Sequence, residues 1–320
     1  MKKRIILFTI SFVILGALIY FSDIGKIIEI FLRANPLILV LTFSFWILDT
    51  CLRTFRWQIL LRRIGIDIAF FKLWQIFIAS MFFSNLSPAK TGDPMRSVIL
   101  KRMENESFSS SLSSIVVERM LDVIFLIIIA LISMSFLFTK LQEIGQWLYI
   151  SIILYAFVIS VGLFIISSQS RSEKFFTKLF CFFSFIPKVK SYEWKVKRGS
   201  KKLHKAFKLY NHSPTLFSVF LLTAAIWIMQ GFVLFLCFMS IGIEMNLWAC
   251  IAVVPLSILI GVITFLPGSL GSSEVITVTF FTTLFSLSLS QVTAVTLLSR
   301  LLLFWPYIIV GAAIFSLKFK

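Results

Sequence analysis

Three charged residues lie close together inside an otherwise apolar run, and their spacing could hold an anion or a proton. Glu118 and Asp122 are four residues apart, so both carboxylates face one side of a helix. Arg119 lies three residues before Asp122 and can pair with it on the same helix. Charges in apolar spans are costly and seldom lack a partner or a role. The cluster therefore indicates an anion-binding or proton-coupled site, or else a self-neutralising structural cluster.

Three more arginines fall within or beside apolar segments. Arg300 has no acidic neighbour in sequence, so its partner must come from another helix, a ligand or water, unless it snorkels to an interface. Arg53 and Arg56 lie three residues apart at the end of an apolar segment, where they could grip a phosphate as a fork. Ordinary anchoring at the cytoplasmic surface of a membrane is the alternative for this pair.

Two turns rich in proline and glycine supply the remaining candidates for a binding site. The candidates around the first turn are Asn85, Lys90, Asp93 and Arg96. The helix that leaves this turn would direct free N–H groups at an anionic head group. Glu274 is the matching acid after the second turn, where it either faces the site or caps the following helix. The residues that shape the turns themselves are Pro88, Gly92, Pro267, Gly268 and Gly271.

The composition predicts a polytopic membrane protein that must position these residues on helices. Of the 320 residues, 59% are hydrophobic and only 14% are charged, which is far too little charge for a soluble domain. Candidate spans cover residues 5–21, 37–51, 115–138, 148–166, 216–241 and 292–315. Residues 73–86 and 250–265 form shorter apolar stretches that end near proline and glycine.

One hydrophobic pattern occurs twice, at offsets of 174 to 181 residues. The first copy contains Trp46, Asp67, Trp74, Pro88, Gly92 and Arg119, and the second contains Trp227, Glu244, Trp248, Pro267, Gly271 and Arg300. Repeats whose apolar segments are broken by glycine and proline are typical of transporters with a site at mid-bilayer. We therefore expect a first membrane repeat over residues 1–147 and a second, inverted repeat over 148–320.

The distribution of positive charge predicts the topology. Residues 171–208 contain twelve Lys or Arg and two acids, which predicts a cytoplasmic loop. If the N-terminus is cytoplasmic, this loop lies on the cytoplasmic side of the membrane only if residues 73–96 form a re-entrant hairpin. Residues 250–285 form a second hairpin or two short spans, and the C-terminus is cytoplasmic in both cases. The predicted fold is all-α, with six full spans plus two re-entrant hairpins, or with up to eight spans.

Charge and cysteine content exclude several other classes. The net charge of +17 does not predict nucleic-acid binding, because much of it lies in the loop between spans. The four cysteines share no metal-ligand spacing, so neither a zinc site nor a disulfide framework is expected. We expect no metal and no cofactor.

The motifs resemble the membrane region of lysylphosphatidylglycerol synthases, which also occurs as stand-alone flippase-like proteins. The segments that carry the resemblance are 53–57, 85–96, 118–122 and 266–274. The resemblance covers nearly the whole chain and implies translocation of phospholipids or polyprenyl-linked lipids between leaflets. The first turn departs from the family's usual Pro-Gly-Arg, since it reads Pro88-Ala89-Lys90. The soluble aminoacyl-transferase domain of the synthases does not follow the last span, so lysine transfer is not implied.

The resulting expectation is a flippase-like lipid transporter of the plasma membrane that is not an enzyme. An anionic head group would enter a cavity between the inverted repeats, and its partners would be membrane lipids rather than nucleic acid. The alternatives are a membrane-embedded enzyme that acts on lipid phosphates, or a lipid-binding accessory subunit of a cell-envelope biosynthesis complex. Cell-envelope enzymes or self-association are further candidate partners.

Overall fold

A computed structural model describes residues 2–88, 90–137, 153, 171, 210, 214–264 and 266–319, and these residues are helical without any β-strand. The helices are α1 (Lys2–Phe21), α2 (Ile24–Arg33), α3 (Pro36–Arg63), α4 (Phe70–Asn85), α5 (Met95–Glu104), α6 (Phe108–Leu137), α7 (Pro214–Ser240), α8 (Leu247–Ile263), α9 (Ser272–Phe285), α10 (Leu289–Leu303) and α11 (Trp305–Lys318). The predicted all-α class is confirmed for this part of the chain. The predicted span 148–166 and nearly all of the loop 171–208 lie outside the described residues.

Three stretches of the described chain are long and apolar enough to cross a membrane, namely α3, α7 and the combined α10–α11 segment (Leu289–Lys318). A fourth span results if α1 and α2 count as one, although they meet at 82°. The predicted spans 37–51, 216–241 and 292–315 fall within or largely within the three helical stretches. The predicted span 115–138 corresponds to α6, which begins at Phe108.

One predicted boundary needs correction. The segment 37–51 continues as helix to Arg63, so Arg53 and Arg56 lie within α3 rather than at its end. The charged segment after the first span forms the helix α2. Asp23 caps this helix, because its carboxylate accepts hydrogen bonds from the N–H groups of Gly25 and Lys26.

Each predicted hairpin consists of two short helices joined by a turn. The first comprises α4, a turn at residues 86–94, and α5. The second comprises α8, a turn at residues 264–271, and α9. Both turns contain residues with left-handed backbone, which ends the preceding helix and reverses the chain.

The packing of the helices repeats between the two halves. The helices α3 and α7 pack against each other across the halves. The first-hairpin helix α4 packs on α11, and its counterpart α8 packs on α6. Glycine permits the closest of these approaches: a Cβ added at Gly311 would lie 2.6 Å from the Ile78 carbonyl oxygen of α4. The hairpin of each half is thus held against the last helical segment of the other half.

Candidate functional site

The two turns meet each other in the structure. Pro88 of the first turn and Pro267 of the second form an isolated antiparallel backbone bridge. The turns also share internal geometry, since the N–H of Thr91 donates to the Pro88 carbonyl and that of Leu270 to the Pro267 carbonyl, each over 3.0 Å. Two equivalent turns from the two halves therefore lie side by side.

A cavity of about 180 Å³ adjoins this junction and is lined by residues of both halves. Its polar and charged lining includes Asp49, Arg53, Ser84, Asn85, Lys90, Asp93, Arg119, Gln230, Ser257, Ser269, Ser273, Glu274, Thr277, Thr296, Ser299, Arg300 and Tyr307. Irregular backbone at membrane depth is stable only where protein or a water-filled cavity satisfies it. The cavity thus lies where the broken segments need polar surroundings.

One ion pair occurs twice in this cavity, once in each half. Arg119 on α6 lies 3.0 Å from the Asp93 carboxylate of the first turn. Arg300 on α10 lies 2.5 Å from the Glu274 carboxylate, which is in the first turn of α9. The two acids are 181 residues apart in the sequence, and so are the two arginines. The partner that the sequence required for Arg300 therefore comes from another helix.

Asp49 connects three helices at one side of the cavity. Its carboxylate accepts hydrogen bonds from Arg53 over 2.8 Å, from Gln230 over 3.1 Å and from Tyr307 over 2.5 Å. Asp49 itself is buried. Because the three donors come from α3, α7 and α11, this carboxylate joins the two halves.

A second layer of charge lies behind the cavity wall and is fully buried. Arg56 donates to Glu118 and to Asp122, each over 2.6 Å, and Arg96 donates to Glu118 over 2.9 Å. The Arg96 guanidinium also lies over the ring of Trp57, 5.4 Å from its centroid. These two arginines are 0% exposed, whereas Arg119 is 29% exposed. A buried network whose charges all have partners is suited to fixing helix positions.

Lys90 differs from the arginines of the cavity. Among the described residues, no carboxylate forms an ion pair with its ammonium group, although Asp93 is three residues away. Asp93 is instead occupied by Arg119 and by the Ser84 hydroxyl, which donates to it over 2.5 Å. The wall therefore carries one cation without a carboxylate of its own.

The predicted site residues divide into two groups by position. Those that line the cavity are Arg53, Asn85, Lys90, Asp93, Arg119, Glu274 and Arg300. Those that lie outside its wall are Arg56, Arg96, Glu118 and Asp122. The predicted phosphate fork is not formed, because Arg53 faces the cavity while Arg56 is enclosed by Glu118 and Asp122.

Sequence reasoning missed three residues of the site. Asp49, Gln230 and Tyr307 were not among the candidates, although Asp49 lies four residues before Arg53 in an apolar span. The repeat offset of 181 residues also relates Asp49 to Gln230, which was a usable signal. In the part of the chain that the structure describes, no cluster of His, Cys, Asp and Glu could hold a metal ion.

The chain folds into a bundle of apolar helices with a charged cavity between two similarly packed halves. This architecture is that of an integral membrane protein. Residues 8–311 match the lysylphosphatidylglycerol synthase TM region family. The chain belongs to this family, which confirms the resemblance seen in the motifs.

Three similar proteins from archaea match over nearly their whole length. A UPF0104 membrane protein of Methanocaldococcus jannaschii is 25% identical over 93% of this chain and 90% of its own length. A UPF0104 membrane protein of Methanothermobacter thermautotrophicus is 25% identical over 97% of this chain and 94% of its length. One from Pyrococcus horikoshii is 23% identical over 97% and 95% of the two chains.

Proposed function

We propose that this protein is a flippase-like transporter that moves lipids with an anionic head group between the leaflets of the plasma membrane. The observation that carries the proposal is the cavity between the two halves, whose wall holds four cations and three carboxylates. A positively charged, partly enclosed cavity attracts an anion, because charges interact more strongly away from bulk water. The lipid tails stay in the bilayer while the head group crosses through the cavity.

The two halves act as inverted repeats in this proposal. The equivalent turns that meet at Pro88 and Pro267 enter from opposite faces, and the basic loop and both termini are cytoplasmic. Rocking of one repeat against the other then exposes the cavity to each leaflet in turn. The repeated ion pairs, Arg119 with Asp93 and Arg300 with Glu274, support such a two-fold mechanism.

A head group that enters the cavity meets polar groups throughout. The cavity volume exceeds the roughly 150 Å³ of an engineered protein cavity that holds benzene, so a phosphate with a small substituent can be accommodated. The cavity arginines stay engaged with carboxylates, which lowers the cost of burying them when the head group is absent. Ion gradients or downhill lipid flow supply the energy.

Transport can be tested with liposomes that contain the purified protein and a lipid labelled on its acyl tail with a dithionite-sensitive fluorophore. Wild-type protein should raise the fraction of a phosphoglycerol lipid that becomes accessible to external dithionite. Ser299→Phe should abolish this rise, because Ser299 lines the cavity and the added ring occupies it.

Ser316→Phe is the matched control for this experiment. Both hydroxyls donate to the carbonyl three residues earlier in a helix, but Ser316 is exposed and does not line the cavity. The control should transport like wild type, and both variants should keep the wild-type melting temperature. Equal transport by Ser299→Phe and wild type would refute a route through this cavity.

A further inference from the structure

We infer that the cavity selects a head group with a single net negative charge, a phosphodiester, and that Lys90 is the residue that pairs with it. This inference rests on the proposed function and names its substrate class. It begins from the charge balance of the cavity wall.

The three arginines of the wall are each matched by a carboxylate of the wall. The pairs are Arg53 with Asp49 at 2.8 Å, Arg119 with Asp93 at 3.0 Å, and Arg300 with Glu274 at 2.5 Å. Lys90 remains as the fourth cation, and no carboxylate of the described residues pairs with it. The excess charge of the wall is therefore one positive charge, located at Lys90.

The layer behind the wall does not alter this balance. It contains two cations, Arg56 and Arg96, and two carboxylates, Glu118 and Asp122, and all four are buried. Their formal charges sum to zero, although Arg119 of the wall also lies 3.2 Å from Glu118 and 3.1 Å from Asp122. A ligand in the cavity therefore experiences the excess charge of the wall itself.

The position of Lys90 is fixed by its turn. Its backbone has a φ of 56°, in the left-handed region, and its carbonyl accepts a hydrogen bond from the Asp93 N–H over 3.1 Å. Ser269 occupies the equivalent turn position of the second half, with a φ of 52°. Two turns of the same conformation thus meet in the cavity, and only the first carries a cation.

An ammonium group without a carboxylate partner at the wall of a partly enclosed cavity is costly, and an anion relieves this cost. One negative charge neutralises the wall, whereas a second would lack a partner and would face three carboxylates. A zwitterionic head group brings its own cation, which the excess charge of Lys90 repels. A phosphodiester with an uncharged, hydroxylated substituent satisfies the charge, and hydroxyl groups such as those of Ser84, Ser257 and Ser299 can bind the substituent.

Three tail-labelled lipids test the inference in the same liposome assay. They carry phosphoglycerol, phosphocholine or a phosphomonoester as head group. The measurement is made near pH 7, since a phosphomonoester has its second pKa at about 6 and is then mostly a dianion. Wild-type protein should move the phosphoglycerol lipid about tenfold faster than the other two lipids. This factor corresponds to the free energy of one hydrogen bond to a charged group. Equal rates for all three lipids would overturn the inference while leaving the transport proposal intact.

Substitutions of Lys90 assign the selectivity to this residue. Lys90→Gln should slow the phosphoglycerol lipid about tenfold and remove its advantage over phosphocholine, and Lys90→Arg should retain most of both. Lys101→Gln makes the same change of charge at an exposed position on α5 outside the cavity and should behave like wild type. Unchanged selectivity in a Lys90→Gln protein of wild-type melting temperature would overturn the assignment.

A binding measurement shows whether transport fails or the phosphodiester site fails. It also shows whether the phosphodiester comes from a lipid or from a soluble compound. Detergent-purified protein is heated with the phosphoglycerol lipid or with soluble glycerophosphoglycerol, and its melting temperature is recorded. If no lipid is moved but either diester stabilises wild type and not Lys90→Gln, the transport proposal fails and the phosphodiester site stands. Stabilisation by only one of the two diesters identifies the lipid or the soluble compound as the source. If stabilisation by the diesters is absent or independent of Lys90, the site itself is refuted.

Discussion

Pro88 and Pro267, which are 179 residues apart in the sequence, form an antiparallel backbone bridge. Proline has no backbone N–H to donate within a helix, and the paired prolines lie in the two turns at which α4 and α8 stop. Because both stops fall beside one cavity, this junction fixes the geometry of the proposed site.

The tightness of the junction leads to a prediction about Gly268. A Cβ added there would lie 2.7 Å from the Phe304 ring and 2.9 Å from the Asn85 carbonyl oxygen, in a left-handed backbone with a φ of 58°. Gly268→Ala should therefore lower the free energy of unfolding by about 3 kcal/mol, as both strain and overpacking contribute. Gly65 is the matched control, since its φ is 83° but nothing lies within 4 Å of an added Cβ.

Gly65→Ala should lower the free energy of unfolding by only about 1 kcal/mol, through backbone strain alone. Denaturant titration of both variants in detergent measures the difference. Equal losses would mean that the junction tolerates a methyl group, in contradiction of the close contact with Phe304.

The ion pair of Arg300 and Glu274 predicts energetic coupling between α9 and α10. Glu274 is 1% exposed, so Arg300→Ala leaves a buried carboxylate without its cation. The expected loss of unfolding free energy is about 3 kcal/mol. The double variant Arg300→Ala, Glu274→Gln should recover about 1–2 kcal/mol of this loss, since no buried charge remains. A double-variant loss equal to the sum of the single losses would show that the two side chains do not interact.

The separate positions of Arg53 and Arg56 predict separate consequences of neutralising them. Arg56→Gln removes the cation shared by Glu118 and Asp122 and should lower the free energy of unfolding by about 3–5 kcal/mol. Arg53→Gln should cost less, about 2 kcal/mol, because Asp49 loses its cation but keeps its hydrogen bonds from two other donors. Unfolding followed by tryptophan fluorescence compares the two variants, and an equal effect would contradict the distinction between wall and buried layer.

The proposed inversion of the two repeats predicts opposite exposure of two equivalent residues. Asp67 and Glu244 follow the same Ile-Gly-Ile sequence, 177 residues apart, and both are exposed in the structure. In cells whose protein lacks its native cysteines, a membrane-impermeant thiol reagent should label Glu244→Cys but not Asp67→Cys. Permeabilised cells provide the control, in which both should react. Labelling of both in intact cells would place the two loops on one face and refute inversion.

The sequence alone determined the helical class, most of the helix positions and the two broken segments. Apolar runs and proline–glycine turns are local signals, because a membrane helix satisfies its own backbone within a single segment. The internal repeat also relates Arg119 to Arg300 by its offset of 181 residues, which needs no knowledge of how the helices pack. Seven of the proposed site residues line the cavity, including Lys90 and Glu274, because they lie in or beside these local signals.

Only the tertiary structure decided which charges face the cavity. Arg53 and Arg56 are three residues apart on one helix, yet one lines the wall and the other is enclosed by two carboxylates of α6. Asp49 receives donors that are 181 and 258 residues distant in the sequence. The free energy of a charge depends on its burial and on the distance to its partners, and both are set by how separate helices pack.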